Sequence, residues 1–547
     1  MTMDKEFRPS EHVNDHHKSD IVDVDVDLEQ NATDLKVAAP SQSADEASCD
    51  DGARDKLPFS RARLLALVFT LTGAAFLNTM SNQAVVIVLP SIGKDLNIPN
   101  SRQQWIVSAY ALPFGCFLLL WGRIADCFGK RLIFICGSVW LTIWTVVLPF
   151  APNEIAFDIF RALQGLGAAA NVPTALGILG VTFPPSKAKN YAFACYGAGA
   201  PLGSVVGNIL AGVIGQYTSW KWVFWIFSFL AAAVTTAGVF VIPRPPPSLA
   251  PRAKPDVDWV GGGIITCGLL ALMFALTEGN VVGWSTPWIP ALIVVSLILV
   301  AAFICWQWYL ETKTNRRPLM KVSIWRSLRL RGAMAIMALF FASFSNFLVF
   351  TTYFFQEYQG LSVIQTTLRF IPTGVVGLLT AFTTGILLAH IPGMYMLMFG
   401  ITCIAISSLL FALPIAPNTT YWAYGFPAMV LSVLGADTIY PCLTLFTAHT
   451  LPKEDQALGG ALINAVAQVG RSLGLAIGTA IEMAVIAKEQ GKGVAEVGTL
   501  EEVGVGNAAL LKGLRTADWF DFGLAVLGFT IAVVTFRGAG KLGAHKR

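Results

Sequence analysis

Gly122-Arg123-Ile124-Ala125-Asp126-Cys127-Phe128-Gly129-Lys130-Arg131 is a charged, glycine-punctuated hairpin between two apolar stretches, at about 104–121 and 132–150. About twenty apolar residues at 1.5 Å rise cross a hydrocarbon core of roughly 30 Å, so stretches of this length read as membrane spans and not as buried core helices. Working outward, the same pattern recurs at about 64–89, 155–180, 191–214 and 222–242, then 259–277 and 288–309. It returns at about 333–355, 367–389, 394–414, 421–447, 458–485 and 518–536, giving fourteen spans in a six, two, six plan.

Of the 547 residues 54% are hydrophobic and 13% charged, which excludes a soluble globular domain. No Walker loop, Rossmann glycine pattern or metal-ligand cluster appears among the connectors, so an enzyme, a bound cofactor or metal, and a nucleic-acid partner are not expected. The nine cysteines show no paired spacing, so neither a disulfide framework nor a zinc site is expected.

Charge divides the chain. Residues 1–60 carry 15 acidic against 6 basic side chains and the remainder 19 against 32, which makes the parts −9 and +13. The tail alternates acid and aliphatic residues, lacks a secretory signal, and cannot bury enough surface to offset its ordering entropy. His12, His16 and His17 read as part of this solvated tail. Lys and Arg number 20 in the segments on the tail's side of the spans and 8 on the other, so the positive-inside rule puts both termini in the cytoplasm. Of two sequons, Asn418-Thr419-Thr420 falls outside and Asn31-Ala32-Thr33 inside.

The expected architecture is an all-α polytopic membrane protein of two six-helix bundles plus two accessory central helices. Its segments are a disordered acidic cytoplasmic tail (1–60), an N-terminal six-helix bundle (61–242), a linker with two accessory spans and a basic cytoplasmic loop (243–331), and a C-terminal six-helix bundle (332–547). Ala125-Asp126-Cys127-Phe128-Gly129 and Ala389-His390-Ile391-Pro392-Gly393 occupy matching hairpins of the two halves, an echo that suits internal repeats.

Three motifs together carry a resemblance. Gly122 to Arg131 is similar to the first inner-loop motif of the major facilitator superfamily, with Cys127 in place of its arginine. Phe160-Arg161-Ala162-Leu163-Gln164-Gly165 resembles the fourth-helix motif, and Gly199-Ala200-Pro201-Leu202-Gly203 with Gly207 resembles the fifth-helix antiporter motif. The chain thus resembles the fourteen-span drug:proton antiporter branch over about residues 64–536, including fungal aminotriazole-resistance-like and metabolite exporters. The resemblance implies alternating access, export of a small organic molecule, protons as coupling ion, a plasma-membrane (alternatively vacuolar) location and a monomer. It also departs from the branch: Asn78 stands where proton-coupled relatives often carry an aspartate. An uptake or facilitated-diffusion permease, or a nutrient sensor without turnover, are the alternatives.

Arg123, Asp126, Lys130 and Arg131, with Gly122 and Gly129, are expected to form an inner latch, since a carboxylate at a helix start can take backbone N–H bonds and pair with a base. The plainer reading is topology alone. Arg161 and Arg471 are basic residues well inside spans, where an arginine costs roughly 2.5–3.5 kcal/mol on insertion scales. Arg161 with Gln164 and Asn171 is expected at the cavity, unless Asp158 one turn away merely neutralises it. In span thirteen Asn464, Gln468, Arg471, Leu475, Gly478 and Glu482 lie within about 40° of one line, a polar face for the cavity or an inter-helix seam. Asp437, in mid-span, is expected to pair with Arg471 and to serve in coupling. Gly199, Gly203 and Gly207, with Pro201, suit close packing of the fifth span and a hinge between bundles.

Overall fold

Hydrocarbon offers no partner to a backbone N–H or C=O, so each apolar stretch must close its hydrogen bonds within itself as a helix. The computed structural model describes residues 60–98, 105–184, 187–244, 257–314, 316, 318–414, 419–452, 455–491 and 505–537. The tail, its histidines, the Asn31 sequon, Asn418 and the proline run 245–247 lie outside the described residues.

Fourteen helices follow: α1 (Arg61–Asp95), α2 (Trp105–Phe128), α3 (Lys130–Val147), α4 (Glu154–Thr182), α5 (Lys187–Tyr217), α6 (Lys221–Val241), α7 (Trp259–Val282), α8 (Trp288–Lys313), α9 (Leu328–Tyr353), α10 (Val363–His390), α11 (Gly393–Ala412), α12 (Tyr421–Thr450), α13 (Gln456–Gln490) and α14 (Ala508–Thr535). All fourteen contain a segment long and apolar enough to cross a membrane. α1 to α6 pack into one six-helix bundle and α9 to α14 into another, and the two meet where α2 and α4 touch α13 and where α5 touches α10 and α12.

Two boundaries differ from expectation. The quoted hairpin is helical as far as Phe128, because nothing before Gly129 breaks a helix. Gly129 alone makes the turn, at φ 105°, a conformation that favours glycine. α14 starts ten residues before the expected 518. Lys512 and Arg515 interrupt the apolar run of its first turns, which hides them from an apolar count, while the Asn507 side chain caps the helix by accepting from the Ala509 and Leu510 amides at 2.8 and 3.4 Å.

The glycines of α5 let it nest on α1. A Cβ on Gly199 would stand 2.7 Å from the Thr72 carbonyl oxygen, one on Gly207 2.9 Å from that of Met80, and one on Gly203 would press into that of Phe76. On its other side Pro201 and Val205 meet Gly377 and Gly374 of α10, so α5 is closely packed towards both bundles. Gly203→Ala is therefore expected to cost about 1–3 kcal/mol, since backbone cannot yield as a side-chain tip can. Gly212→Ala, with open space around it, is expected to gain up to about 1 kcal/mol in helix propensity. Thermal unfolding in detergent checks the opposite signs.

α7 and α8 form the accessory pair. Asp258, just before α7, accepts from the Gly261 amide at 2.8 Å and from Trp306 Nε1 and Gln307 Nε2 of α8 at 3.1 and 2.6 Å. α7 lies on the junction of α2 and α13, where a Cβ on Gly115 would meet both Met273 Cε at 3.1 Å and Gln468 Cβ at 3.3 Å. Trp105 Nε1 donates to Glu278 Oε1 at 2.9 Å, a second tie between α2 and α7.

Candidate functional site

At the hairpin end the bundles are joined through α2 and α13. Asp126, in the last turn of α2, accepts at Oδ2 from the Leu458 amide at 2.9 Å and at Oδ1 from the Ala457 amide at 3.3 Å. These amides are in the first turn of α13, where N–H groups have no partner within the helix and the macrodipole favours an anion. Lys130 Nζ pairs with Asp126 Oδ1 at 2.6 Å, and Arg123 Nη1 with Asp455 Oδ1, just before α13, at 3.1 Å. Gly122 makes the approach possible, since a Cβ there would stand 2.6 Å from Ala461 Cβ.

Arg131 is not in this set. Its Nε and Nη2 donate to the Ile242 and Val239 carbonyls at 2.9 and 2.7 Å, satisfying carbonyls at the C-terminal end of α6 inside its own bundle. The expected latch thus loses Arg131 and gains Asp455, which sequence reasoning missed. Its available signal was an acid immediately before a helix, able to answer Arg123 in charge.

Inside the first bundle Arg161 is completely buried. Its Nε donates to the Ile106 carbonyl at 3.1 Å, and Nη1 to Gln164 Oε1 at 2.7 Å and Ser81 Oγ at 3.4 Å. The guanidinium lies 4.6 Å from the Tyr110 ring centre, within cation–π range. Tyr110 donates its hydroxyl to Asn78 Oδ1, and Gln164 Nε2 donates to Thr145 Oγ1 at 2.8 Å. Asp158 makes no ion pair with Arg161, so the cation is held by neutral acceptors and a ring. Arg161 Nη2 has no acceptor. Such an orphan donor can receive a carbonyl, carboxylate or hydroxyl oxygen. Asn171, expected beside Arg161, instead accepts from Ser138 on α3 at 3.2 Å. Tyr110 and Ser81 were missed as members; Tyr110 reads as apolar bulk in its span.

In the second bundle the expected Asp437–Arg471 pair is not formed. Asp437 points towards α10, where a Cβ on Gly377 would come 2.7 Å from its Oδ2, and that oxygen has no donor. Arg471 lies 5.3 Å from the Phe341 ring of α9. The polar line of α13 divides among neighbours: Asn464 accepts from the Tyr440 hydroxyl of α12 at 3.3 Å, while Gln468 meets α2 and Arg471 meets α9. A stripe on one helix serves several partners, because α13 is packed by helices of both bundles and by α7 on different sides.

Comparison with known proteins agrees with the geometry. The family model described as Major Facilitator Superfamily matches residues 71–475. The low affinity ammonium transporter of Saccharomyces cerevisiae is 31% identical over 513 residues, 92% of this chain and 93% of that one. The efflux pump terJ of Aspergillus terreus is 28% identical over 504 residues, 89% and 92% of the two chains. The aminotriazole resistance protein of Saccharomyces cerevisiae is 26% identical over 478 residues, 85% and 82%. Among solved structures, the proton:xylose symporter XylE bound to 6-bromo-6-deoxy-D-glucose superposes with a TM-score of 0.60 at 13% identity, over 89% of this chain and 99% of that one, a likeness of fold.

Proposed function

Because this chain belongs to the major facilitator superfamily, we propose that it is a secondary carrier that exports a small organic compound by alternating access, driven by inward proton movement. In this reading 61–242 and 332–547 are the rocking bundles, 243–331 carries the accessory pair and the acidic tail is a cytoplasmic appendage. The termini are cytoplasmic and the membrane is the plasma membrane of a fungal cell. The observation that carries the reading is the latch: two bundles joined at one end by the Arg123–Asp455 ion pair and the amide–carboxylate bonds of Asp126, which can be broken and remade without disturbing either core. Above it Arg161 offers an unused donor for an oxygen of the substrate. The relative named as an efflux pump supports the direction.

Protein reconstituted in vesicles, challenged with candidate compounds under an imposed pH gradient, tests this. Uphill movement that follows the pH gradient is the expected result, and flux indifferent to it removes the antiport reading. Asp437 is the coupling candidate at the α5–α10–α12 contact. Asp437→Asn is expected to keep exchange of labelled substrate while losing pH-driven accumulation. Arg471→Ala is expected to leave the pH profile unchanged, since the two groups are not paired.

A second reading, an ammonium permease, is favoured by the 31% identical relative. Asn78 suits it: bonded to Tyr110, it puts a neutral amide where a coupling carboxylate is expected. Ammonium uptake into vesicles without a pH gradient would support the permease over the exporter.

A further inference from the structure

Three carboxylates meet where α9, α13 and α14 pack together, apart from every group considered above as coupling or latch. Glu482 on α13 is fully buried; Asp518 and Asp521, one turn apart on α14, are 3% and 0% exposed. Glu482 and Asp518 interact electrostatically, as do Asp518 and Asp521. Helix packing holds them there. A Cβ on Gly513 of α14 would lie 3.1 Å from the Glu482 carbonyl oxygen, so the two helices are in close contact at this level.

Hydrogen-bond accounting points to a missing partner of one kind. Asn346, fully buried on α9, donates from Nδ2 to Asp521 Oδ1 at 2.8 Å and to the Gly474 carbonyl at 3.0 Å, and its Oδ1 receives nothing. Both carboxylate oxygens of Glu482, Oδ1 of Asp518 and Oδ2 of Asp521 also lack donors. All five orphans are acceptors, and buried polar atoms are seldom left so. Among the described residues no ion pair reaches these carboxylates, and Lys512 of α14 pairs instead with Glu489 at 2.6 Å. Tyr353 of α9 interacts electrostatically with Glu482 and with Glu357 of the turn that follows it. Among the described residues no three His, Cys, Asp or Glu side chains are arranged to hold a metal ion. A proton needs no cavity, and on a carboxyl it turns an acceptor into a donor for its neighbour.

We propose that Glu482, Asp518 and Asp521, with Asn346, form an exchangeable proton-binding site in the second bundle. The inference rests on the proton-antiport reading and gives its coupling ion a second place in addition to Asp437. Glu482 stands eight residues before the end of α13, about 12 Å along the axis. The site is thus nearer the face opposite the latch, from which protons enter in that reading.

The test is pH-difference infrared spectroscopy of the carboxyl C=O stretch, on full-length protein in lipid, with the proton itself as probe and no substrate. The parent is expected to lose protonated-carboxyl signal as pH rises, at constant sodium and ammonium. Glu482→Gln, Asp518→Asn and Asp521→Asn should each lower that titrating signal, and the triple variant should remove the signal of the cluster. Asn346→Leu keeps the acids and should shift the midpoint, which covers the case of a triple variant that fails to fold. Spectra identical in parent and variants overturn the proposal. So does a cluster signal that never changes with pH, which would mark a static inter-helix seam, or one removed at constant pH by sodium or ammonium. Gradient-driven flux is measured separately: its absence beside an intact titration counts against the antiport reading and leaves the site standing.

Discussion

Replacing Arg161 by alanine is expected to abolish transport while leaving the protein folded in the membrane. The side chain makes three hydrogen bonds and a ring contact, all to neutral partners, and bonds of a charged group contribute about 1.5–3 kcal/mol each. Against their loss stands relief from holding a guanidinium at depth, roughly 2.5–3.5 kcal/mol on insertion scales. These terms only partly offset, leaving a net cost of about 1–6 kcal/mol, so flux is compared per unit of folded protein. Substrate binding has no such offset: if Nη2 and its neighbours meet a substrate oxygen, losing about 3 kcal/mol is a fall of more than about a hundredfold. Arg161→Lys should not rescue it, because an ammonium cannot reproduce the planar fork that reaches Ile106 and Gln164 together. Flux of the compound that the parent moves, measured in vesicles, decides. An alanine variant working at half the parent's rate would reduce Arg161 to a structural member of α4.

Asp126→Ala should unlock the hairpin end. Truncating one partner of a buried, charge-assisted set costs about 3–5 kcal/mol. The two bonds from the α13 amides exist only in the joined state, so their share of the cost falls there, while the Lys130 pair lies within the first bundle. The balance between joined and separated states should therefore shift by about a hundredfold or more. A cysteine placed at Ala461, which is buried against Gly122, reads the change as faster labelling by a membrane-impermeant thiol reagent applied from the hairpin side, in a background without other reactive cysteines. Arg131→Ala supplies the contrast. Its bonds go to α6, so labelling should stay at the parental rate; equal acceleration by both variants would mean general loosening and not a latch.

Much of the fold was legible because a bilayer demands it: each span must be long, apolar and helical, and fourteen runs announce fourteen helices. The start of α14 escaped, since its first turns are charged and only the Asn507 cap marks them. Half of the latch was legible, Arg123 and Asp126 being side by side in one motif. Asp455 was not, because it lies more than three hundred residues away and only folding brings it near. The expected pairing of Asp437 with Arg471 failed for a related reason. Sequence gives the depth of a residue in its span and its angle relative to others on the same helix, but not how neighbouring helices are rotated, and here Asp437 turns to α10 while Arg471 turns to α9. The same ignorance of rotation, with the misplaced start of α14, hid Asp518 and Asp521 from Glu482.

The accessory pair has a consequence for lipid. Two bundles that rock against one another have two long side seams, and acyl chains or a bilayer-dissolved compound could slip through either. α7 spans one of them, held at Gly115, Met273 and Gln468 and tied by Trp105 to Glu278, while α8 turns most of its surface outward behind it. That flank is walled. The flank formed by α5 and α10 has no such pair behind it among the described residues, so in the proposed rocking cycle a compound arriving sideways from the membrane would meet an unwalled seam on that side.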